Sequence, residues 1–302
     1  EKGGFAHFME KEIFEQPESL KRAMSGRLDM EEATAHLGGL NMETRDLLNV
    51  ERVRIVAAGT SYHAGMVGMY LLESLARVPC TVEISSELRY RNPIVERNTL
   101  HFVVSQSGET ADTLYALREL KRKGATVLGI CNVVGSTIAR ESDGGVYIHS
   151  GPEIAVASTK AFTSQVTVFY LFTLLLARMR DLSMKAGQAF IQDLQSMPAR
   201  IETILAGSRA IQELAKRYCR YEDFLFLGRG INYPVAMEGA LKLKEISYIH
   251  AEGYSAAELK HGPIALIGEH TPSLFLVPDD GLREKIISNM KEVKSRRGRV
   301  IA

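Results

Sequence analysis

The sequence predicts an α/β protein of two tandem domains, each a five-stranded parallel sheet flanked by helices, with the second copy truncated. Short apolar strands alternate with helical segments between residues 53 and 148, as in parallel sheets covered on both faces. The pattern then recurs, because residues 55–61 resemble residues 224–230. Such a repeat indicates an internal duplication, and a chain of 302 residues has room for two domains.

Five strands are predicted in the first copy, each short and apolar and bounded by polar or glycine residues. They are residues 53–58, 80–84, 100–104, 126–130 and 145–148. Helical spacing of apolar residues predicts a helix over residues 64–76 and an amphipathic helix over 112–123, which Gly124 ends. In the second copy, residues 224–230 and 272–277 match the first and third strands, and residues 234–249 match the first helix.

The predicted domain limits follow from this pattern. Residues 1–45 are polar and mixed, and we expect an arm or linker with a helix over 8–16 stopped by Pro17 and another over 19–25. The first domain is placed at 46–195 and the second at 205–302, with a helical segment, 160–218, joining the halves. Because residues 299–302 read as the start of another strand, we expect the intact protein to continue past Ala302.

Composition argues against several kinds of partner and cofactor. A formal net charge of +1 gives no broad field for nucleic acid or a membrane surface. The apolar run Val166–Ala177 is too short to span a bilayer and predicts a core helix. Three scattered cysteines predict reduced, buried thiols and a cytoplasmic protein. No metal-ligand spacing and no dinucleotide fingerprint occur, so we expect no metal and no cofactor.

The loop after the third strand carries the clearest ligand signal. Ser105, Gln106, Ser107 and Thr110 follow an apolar strand and precede a helix, with Gly108 between them. Backbone N–H groups at a helix start attract anions, and the hydroxyl groups add donors. The sequence therefore predicts a phosphate site here, and an ordinary helix-capping turn is the alternative. Thr60 and Ser61 hold the equivalent place after the first strand, where a simple glycine turn at Gly59 is the alternative.

These motifs resemble the sugar isomerase (SIS) family. The strand followed by Ser-x-Ser-Gly-x-Thr fits its phosphate loop, and three longer strings resemble the isomerase half of the glutamine:fructose-6-phosphate amidotransferases. Those strings are residues 153–163, 241–252 and 258–263. The resemblance covers nearly all of the chain.

The resemblance implies an enzyme that converts fructose 6-phosphate and ammonia to glucosamine 6-phosphate, a step of hexosamine biosynthesis and the UDP-N-acetylglucosamine pathway. It implies phosphate contacts from the polar residues of the two loops, namely Ser105, Gln106, Ser107, Thr110, Thr60 and Ser61. It also implies that Val156 and Ser158 line the sugar pocket, that Lys242 and Glu245 belong to the catalytic helix, and that His261 opens the sugar ring.

The residue types suit this chemistry. An aldose–ketose conversion needs a base that carries a proton between C1 and C2, and Glu245 can serve. Lys242 lies three residues earlier on the same helix face and can stabilise charge developing on oxygen. His261 is a candidate for moving a proton, since histidine side chains commonly serve as general acids and bases. A surface ion pair for Lys242 and Glu245, and a turn-capping role for His261, are the alternatives.

The amidotransferases have further parts that residues 1–302 do not match. They carry an N-terminal glutaminase domain, which we expect as a partner domain in the full-length protein, and a tail with a Schiff-base lysine. In that family the histidine matched by His261 reaches the neighbouring subunit, so the resemblance implies a homodimer. In the second copy, Asp279 and Asp280 replace the hydroxyl loop, which predicts one sugar-phosphate site per chain.

Two other functions remain open from the sequence. One is a non-catalytic SIS sensor of sugar phosphates, although residues 1–45 contain no basic recognition helix. The other is a related hexose-phosphate isomerase or an amino-sugar-phosphate deaminase.

Overall fold

The computed structural model describes residues 1–302 and divides the chain into two compact units, Glu1–Thr203 and Ile204–Ala302. Residues 1–45 belong to the first unit. The limits predicted for the domains stay a prediction.

Twelve α-helices and eleven strands make up the chain. The helices are α1 Phe8–Phe14, α2 Gln16–Met24, α3 Thr44–Leu48, α4 Gly59–Leu71, α5 Ser85–Tyr90, α6 Ala111–Arg122, α7 Thr137–Glu141, α8 Lys160–Arg178, α9 Met184–Ala206, α10 Ser208–Tyr218, α11 Asn232–Ser247 and α12 Arg283–Ser295. The strands are β1 Leu28–Asp29, β2 Thr34–Ala35, β3 Arg52–Ala57, β4 Cys80–Ile84, β5 Thr99–Ser105, β6 Val127–Cys131, β7 Gly144–Tyr147, β8 Asp223–Gly228, β9 His250–Ser255, β10 Ser273–Phe275 and β11 Val300–Ile301.

The first unit contains a five-stranded parallel sheet in the order β4-β3-β5-β6-β7. One face is covered by α5, α6 and α7, where Leu88, Leu117 and Ile138 pack on Val56 and Val103. The three central strands β3, β5 and β6 are buried almost throughout because helices cover both faces. The five strands predicted for this copy are therefore confirmed, each within one or two residues of its predicted limits.

The other face of this sheet is covered by α4 and α8. Phe102 of β5 makes edge contacts with Phe169 and Phe172 of α8. Gly68 of α4 lies against Phe169, so that a Cβ there would meet the ring at 2.7 Å. By length and composition α8 could cross a membrane, but 78% of its apolar window is buried inside the protein. It therefore has the burial of the core helix predicted over Val166–Ala177.

The second unit contains a four-stranded parallel sheet in the order β11-β10-β8-β9. Here β9, β8, β10 and β11 repeat the order of β4, β3, β5 and β6, which confirms the predicted duplication. Leu225 and Leu227 of β8 pack with Ile286 and Val293 of α12 on one face. On the other face Phe224 packs with Ala240 of α11.

Two predictions about local structure are wrong. Pro17 does not stop a helix but stands in the first turn of α2, where proline lacks only a hydrogen bond that this position does not need. The prediction of buried thiols fails at Cys219, which is exposed after α10, while Cys80 and Cys131 are buried. Cys219 follows an amphipathic helix whose residues are mostly exposed, so this cysteine has no buried core to pack into.

Candidate functional site

The topology of the first sheet brings two polar loops to the same edge. From β3 the chain passes to β4 on one side, and then crosses to β5 on the other side of β3. The carboxyl ends of β3 and β5 are therefore adjacent, at the point where the strand order reverses. Ligands bind open α/β sheets at such points. The start of α4, which holds Thr60 and Ser61, and the loop of residues 105–110 both lie there.

The 105–110 loop is ordered by its own hydroxyl groups. The Oγ of Ser105 lies 2.9 Å from Oγ1 of Thr110 and accepts the N–H of Gly108 at 3.0 Å. The Oγ of Ser107 accepts the N–H of Glu109 at 3.2 Å. Three of the side chains predicted to bind phosphate, Ser105, Ser107 and Thr110, thus share one tight loop. The side chain of Gln106 is half-buried. The backbone carbonyl of Gln106 accepts the N–H of Asn132 at 3.1 Å.

Gly108 is required by both backbone conformation and space. Its φ is +68°, and a Cβ at this position would lie 1.9 Å from the Oγ of Ser136. The Gly108 carbonyl accepts the N–H of Ile138 at 3.0 Å, and the Glu109 carboxylate accepts the N–H of Thr137 at 2.7 Å. That second bond lowers the pKa of Glu109. The loop is therefore fixed against the start of α7.

The first turn of α6 has backbone N–H groups that no capping side chain satisfies. Thr110 is the N-cap residue, yet its side chain makes no capping hydrogen bond to the helix. The first N–H groups of a helix have no partner within the helix, and they carry partial positive charge. Since the Thr110 hydroxyl instead pairs with Ser105, these donors are left to an outside acceptor.

The loop after β3 adds a second set of hydroxyl groups at the same edge. Ser61 is 7% exposed and its Oγ accepts a hydrogen bond from Nε2 of Gln165 at 3.0 Å. Gln165 is fully buried in α8, so the long core helix fixes the orientation of Ser61. Thr60 is half-buried beside it.

The segment between β7 and α8 contains a turn, residues 153–158, that is closed by Glu153. Its Oε1 accepts the N–H groups of Thr159 and Ala161 at 2.8 and 3.2 Å, and its Oε2 accepts the hydroxyl of Ser158 at 2.8 Å. Val156 stands at the tip of this turn with 90% of its surface exposed. Sequence reasoning did not single out Glu153, although an acidic residue shortly before a helix is a recognisable capping signal.

In the second unit, α11 brings Lys242 and Glu245 together. Nζ of Lys242 lies 2.7 Å from Oε2 of Glu245 and 3.3 Å from Oε1 of Glu238. The three side chains lie one turn apart along the helix, and those of Lys242 and Glu238 are largely buried, with 16% and 7% exposed. The side chain of Glu245 is more exposed, at 31%, so the ion pair of the alternative interpretation is present and partly buried. Glu238 was missed because it lies outside the matching string, although its i, i+4 spacing to Lys242 was visible.

His261 is exposed in the turn that follows a 3₁₀ helix, Ala256–Lys260. Its backbone N–H donates to the carbonyl of Glu258 at 2.9 Å, and Gly262 follows with a φ of +132°. Ser105, Ser107, Thr110, Ser61 and Ser158 thus belong to the first unit, while Lys242, Glu245 and His261 belong to the second. The roles assigned to all of these residues stay predictions.

The loop after β10 differs from its counterpart at residues 105–110. The Oδ1 of Asp280 accepts the N–H of Leu282 at 2.8 Å, and Asp279 pairs with Arg283 at 3.3 Å. Carboxylates therefore stand where the first copy has hydroxyl groups, and they repel a phosphate.

Comparison with known proteins identifies the family. The SIS domain profile matches residues 46–175 and 221–302. The glutamine–fructose-6-phosphate aminotransferase (isomerizing) of Chlorobaculum tepidum is 54% identical over 302 residues, which is 100% of this chain and 49% of that protein. The corresponding protein of Bacteroides thetaiotaomicron is 50% identical over 303 residues, again 100% of this chain and 49% of the relative. The chain thus spans about half the length of the curated relatives it matches, and it corresponds to their isomerase half.

Among solved structures, the C-terminal domain of glucosamine-fructose-6-phosphate aminotransferase from Francisella tularensis superimposes with a TM-score of 0.94. It is 42% identical, and the match covers 99% of this chain and 84% of that one. The profile matches a segment in each half of the duplication, and the structural match covers nearly the whole chain. The chain therefore belongs to the SIS domain family.

Proposed function

We propose that this chain binds fructose 6-phosphate and is the half of an isomerising aminotransferase that converts this sugar and ammonia to glucosamine 6-phosphate. The observation that supports the proposal most is the 105–110 loop at the reversal point of the first sheet. The half-length similarity to aminotransferases of that name supports the choice of substrate.

The phosphate is held by donors that the fold supplies in place. The N–H groups of the first turn of α6 have no side-chain cap from Thr110, and Ser105, Ser107 and Thr110 lie in the loop that leads into this turn. A phosphate dianion is stabilised by several donors at a helix start. The role of this loop is positioning, because it anchors one end of the substrate while C1 and C2 react elsewhere.

The reaction needs one base and no net oxidation. Ammonia adds to the C2 carbonyl and water leaves, which gives the C2 imine. A proton then moves from C1 to C2 and the proton of the C1 hydroxyl moves to the nitrogen, so that C1 becomes the aldehyde and C2 carries the amine. The products are glucosamine 6-phosphate and one water molecule, so the atoms of fructose 6-phosphate and ammonia are all accounted for. A single carboxylate can take the first proton and return it, and we assign this role to Glu245.

Lys242 and His261 have supporting roles in this proposal. The Lys242 ammonium, 2.7 Å from Glu245, holds the side chain of the base in place and stabilises the negative charge that develops on the substrate oxygen. His261 is exposed and can exchange a proton with the ring oxygen when the sugar opens.

Isothermal titration calorimetry tests the proposal with two sugars. The chain is titrated with fructose 6-phosphate and separately with fructose, which lacks the phosphate. We expect saturable binding of fructose 6-phosphate and no measurable binding of fructose. Absence of binding by both, or equal binding of both, would contradict the proposal.

A further inference from the structure

The segment that joins β7 to α8, residues 148–159, has no regular secondary structure. It ends in the 153–158 turn, which presents Val156 and Ser158. A turn of this kind relies on side chains for its backbone hydrogen bonds. Many of those side chains come from α1 and α2, which lie well over a hundred residues earlier in the chain.

Glu12 of α1 holds the turn directly. It is 2% exposed, which is unusual for a glutamate. Its Oε1 accepts the N–H groups of Ile154 and Ala155 at 2.6 and 3.2 Å, and its Oε2 lies 3.3 Å from the N–H of Ala155. One buried carboxylate thereby binds two successive N–H groups next to Val156.

Glu15, one turn further along the chain, fixes the other end of the turn. Its carboxylate lies 2.6 Å from Nζ of Lys160, the first residue of α8, which is 3% exposed. Burial opposes ionisation of Glu15, but its ion pairs with Lys160 and Lys11 together outweigh this effect and lower the pKa of Glu15. Lys160 follows Ser158 by two residues, so this ion pair sets where the turn enters the helix.

Arg22 of α2 fixes the residues before the turn. Its Nε donates to the carbonyl of His149 at 2.9 Å, and its Nη2 donates to the carbonyl of Ser150 at 3.1 Å. Arg22 of α2, Glu12 of α1 and Glu15 between the two helices therefore hold the segment at its start, at the turn itself and at its end.

We propose that α1 is a positioning element of the sugar site, and that Glu12 is the residue that fixes the 153–158 turn in the form that presents Val156 and Ser158 to the sugar. This inference rests on the proposed function, because it requires that the turn contacts the sugar while the 105–110 loop holds the phosphate. Glu12 touches no substrate in this proposal and acts through the backbone of Ile154 and Ala155.

Glu12→Gln separates this role from a general contribution to stability. In the carboxamide, Oε1 can still face both N–H groups, but it is no longer a charged acceptor, and an NH2 group replaces the Oε2 that lies 3.3 Å from the N–H of Ala155. The matched control is Glu10→Gln, which makes the same change at an exposed position of the same helix. Inorganic phosphate is the second probe, because it can occupy the 105–110 loop without reaching the turn.

The experiment measures the dissociation constants of fructose 6-phosphate and inorganic phosphate for the wild-type chain and both variants, by NMR titration. In Glu12→Gln we expect the constant for fructose 6-phosphate to rise about five- to thirtyfold, as for a lost charged hydrogen bond, and that for phosphate to stay unchanged. Glu10→Gln should match the wild type for both ligands. If Glu12→Gln does not fold, Glu12→Asp, which keeps the charge on a shorter side chain, should give a smaller change in the same direction.

Two results overturn the inference alone, with the wild-type chain binding fructose 6-phosphate normally. One is an equal loss of affinity for both ligands, which indicates a purely structural role for Glu12. The other is unchanged affinity for both ligands in a folded variant. A wild-type chain that does not bind fructose 6-phosphate at all would instead overturn the proposed function, and this inference with it.

Discussion

Nζ of Lys242 lies 2.7 Å from Oε2 of Glu245, within one turn of α11. The same ammonium is 3.3 Å from Glu238, whose side chain is 7% exposed. A lysine that is largely out of solvent is uncommon unless it is paired, and Lys242 has two carboxylate partners. Changes at Lys242 or Glu245 should therefore affect both the proposed chemistry and the stability of the second unit.

Replacing the proposed base tests its role. In the reaction proposed for this chain, Glu245→Gln should lower kcat by about a hundredfold or more, because the amide cannot accept the C1 proton. The dissociation constant for fructose 6-phosphate should stay within about threefold of the wild-type value, because the proposed role of Glu245 is to move a proton and not to bind the sugar in its ground state. Steady-state assays and calorimetry measure the two quantities, with Glu284→Gln, an exposed change in α12, as the control. A Glu245→Gln enzyme with full activity would favour the sensor interpretation.

Removing the shared cation should destabilise the second unit. Lys242→Met takes away the ammonium that faces Glu238 and Glu245, and we expect the free energy of unfolding to fall by about 1–3 kcal/mol. Lys244→Met, an exposed change on the same helix, should leave it within about 0.5 kcal/mol of the wild type. Urea unfolding monitored by circular dichroism gives both values. Equal stability of the two variants would show that the ion pairs do not matter for folding.

Gly108 should tolerate no side chain. Gly108→Ala forces a left-handed backbone on alanine and drives its Cβ toward the side chain of Ser136, so we expect a loss of at least about 2 kcal/mol in stability. Gly124→Ala is the matched control, because its φ is also positive, at +83°, but no atom lies within 4 Å of the added Cβ. It should cost only about 1 kcal/mol. Thermal unfolding compares them, and an equal loss in both would mean that Ser136 adapts freely.

His101 makes stability depend on pH. It is fully buried in β5, and burial, together with the nearby Arg54, lowers its pKa to about 4. The unfolded chain binds a proton near pH 6.5, so between pH 6.5 and pH 4 the unfolded state holds more protons than the folded one. Stability contributed by the neutral histidine should therefore be fully present above pH 6.5 and fall as the pH drops toward 4, by on the order of 3 kcal/mol.

The pH dependence can be checked with a variant. Urea unfolding of His101→Phe should lose this part of the slope between pH 6.5 and 4, whereas the exposed change His270→Phe should keep it. An identical slope in the His101→Phe protein would contradict the assignment.

The sequence predicted what depends on local pattern. Strands β3, β5 and β6 are short apolar runs that are buried almost throughout, and the limits of all five strands β3 to β7 came out within one or two residues. In contrast, β9, with the sequence His-Ala-Glu-Gly-Tyr-Ser, is polar and half-exposed, and no periodicity reveals it. Its position beside β8 follows only from pairing across the sheet.

The site was predicted in the same uneven way. The hydroxyl loop lies where a strand meets a helix and is visible as a motif. Glu12 and Glu153 were missed as supporting residues because their function depends on contacts with the backbone of the 153–161 region. For Glu12, the bonded N–H group belongs to Ile154, far along the chain, and a single sequence carries no signal of such a pairing.

The proposed function depends most on the affinity of the 105–110 loop for the substrate phosphate, which can be measured directly. Calorimetry compares the wild-type chain with the double variant Ser107→Ala, Thr110→Ala, and with the control Ser25→Ala, Thr203→Ala, whose hydroxyls are exposed elsewhere in the first unit. We expect the dissociation constant for fructose 6-phosphate to rise at least about tenfold in the first variant, as for the loss of charged hydrogen bonds, and to be unchanged in the control. Unchanged affinity in a folded Ser107→Ala, Thr110→Ala chain would contradict the claim that this loop holds the phosphate.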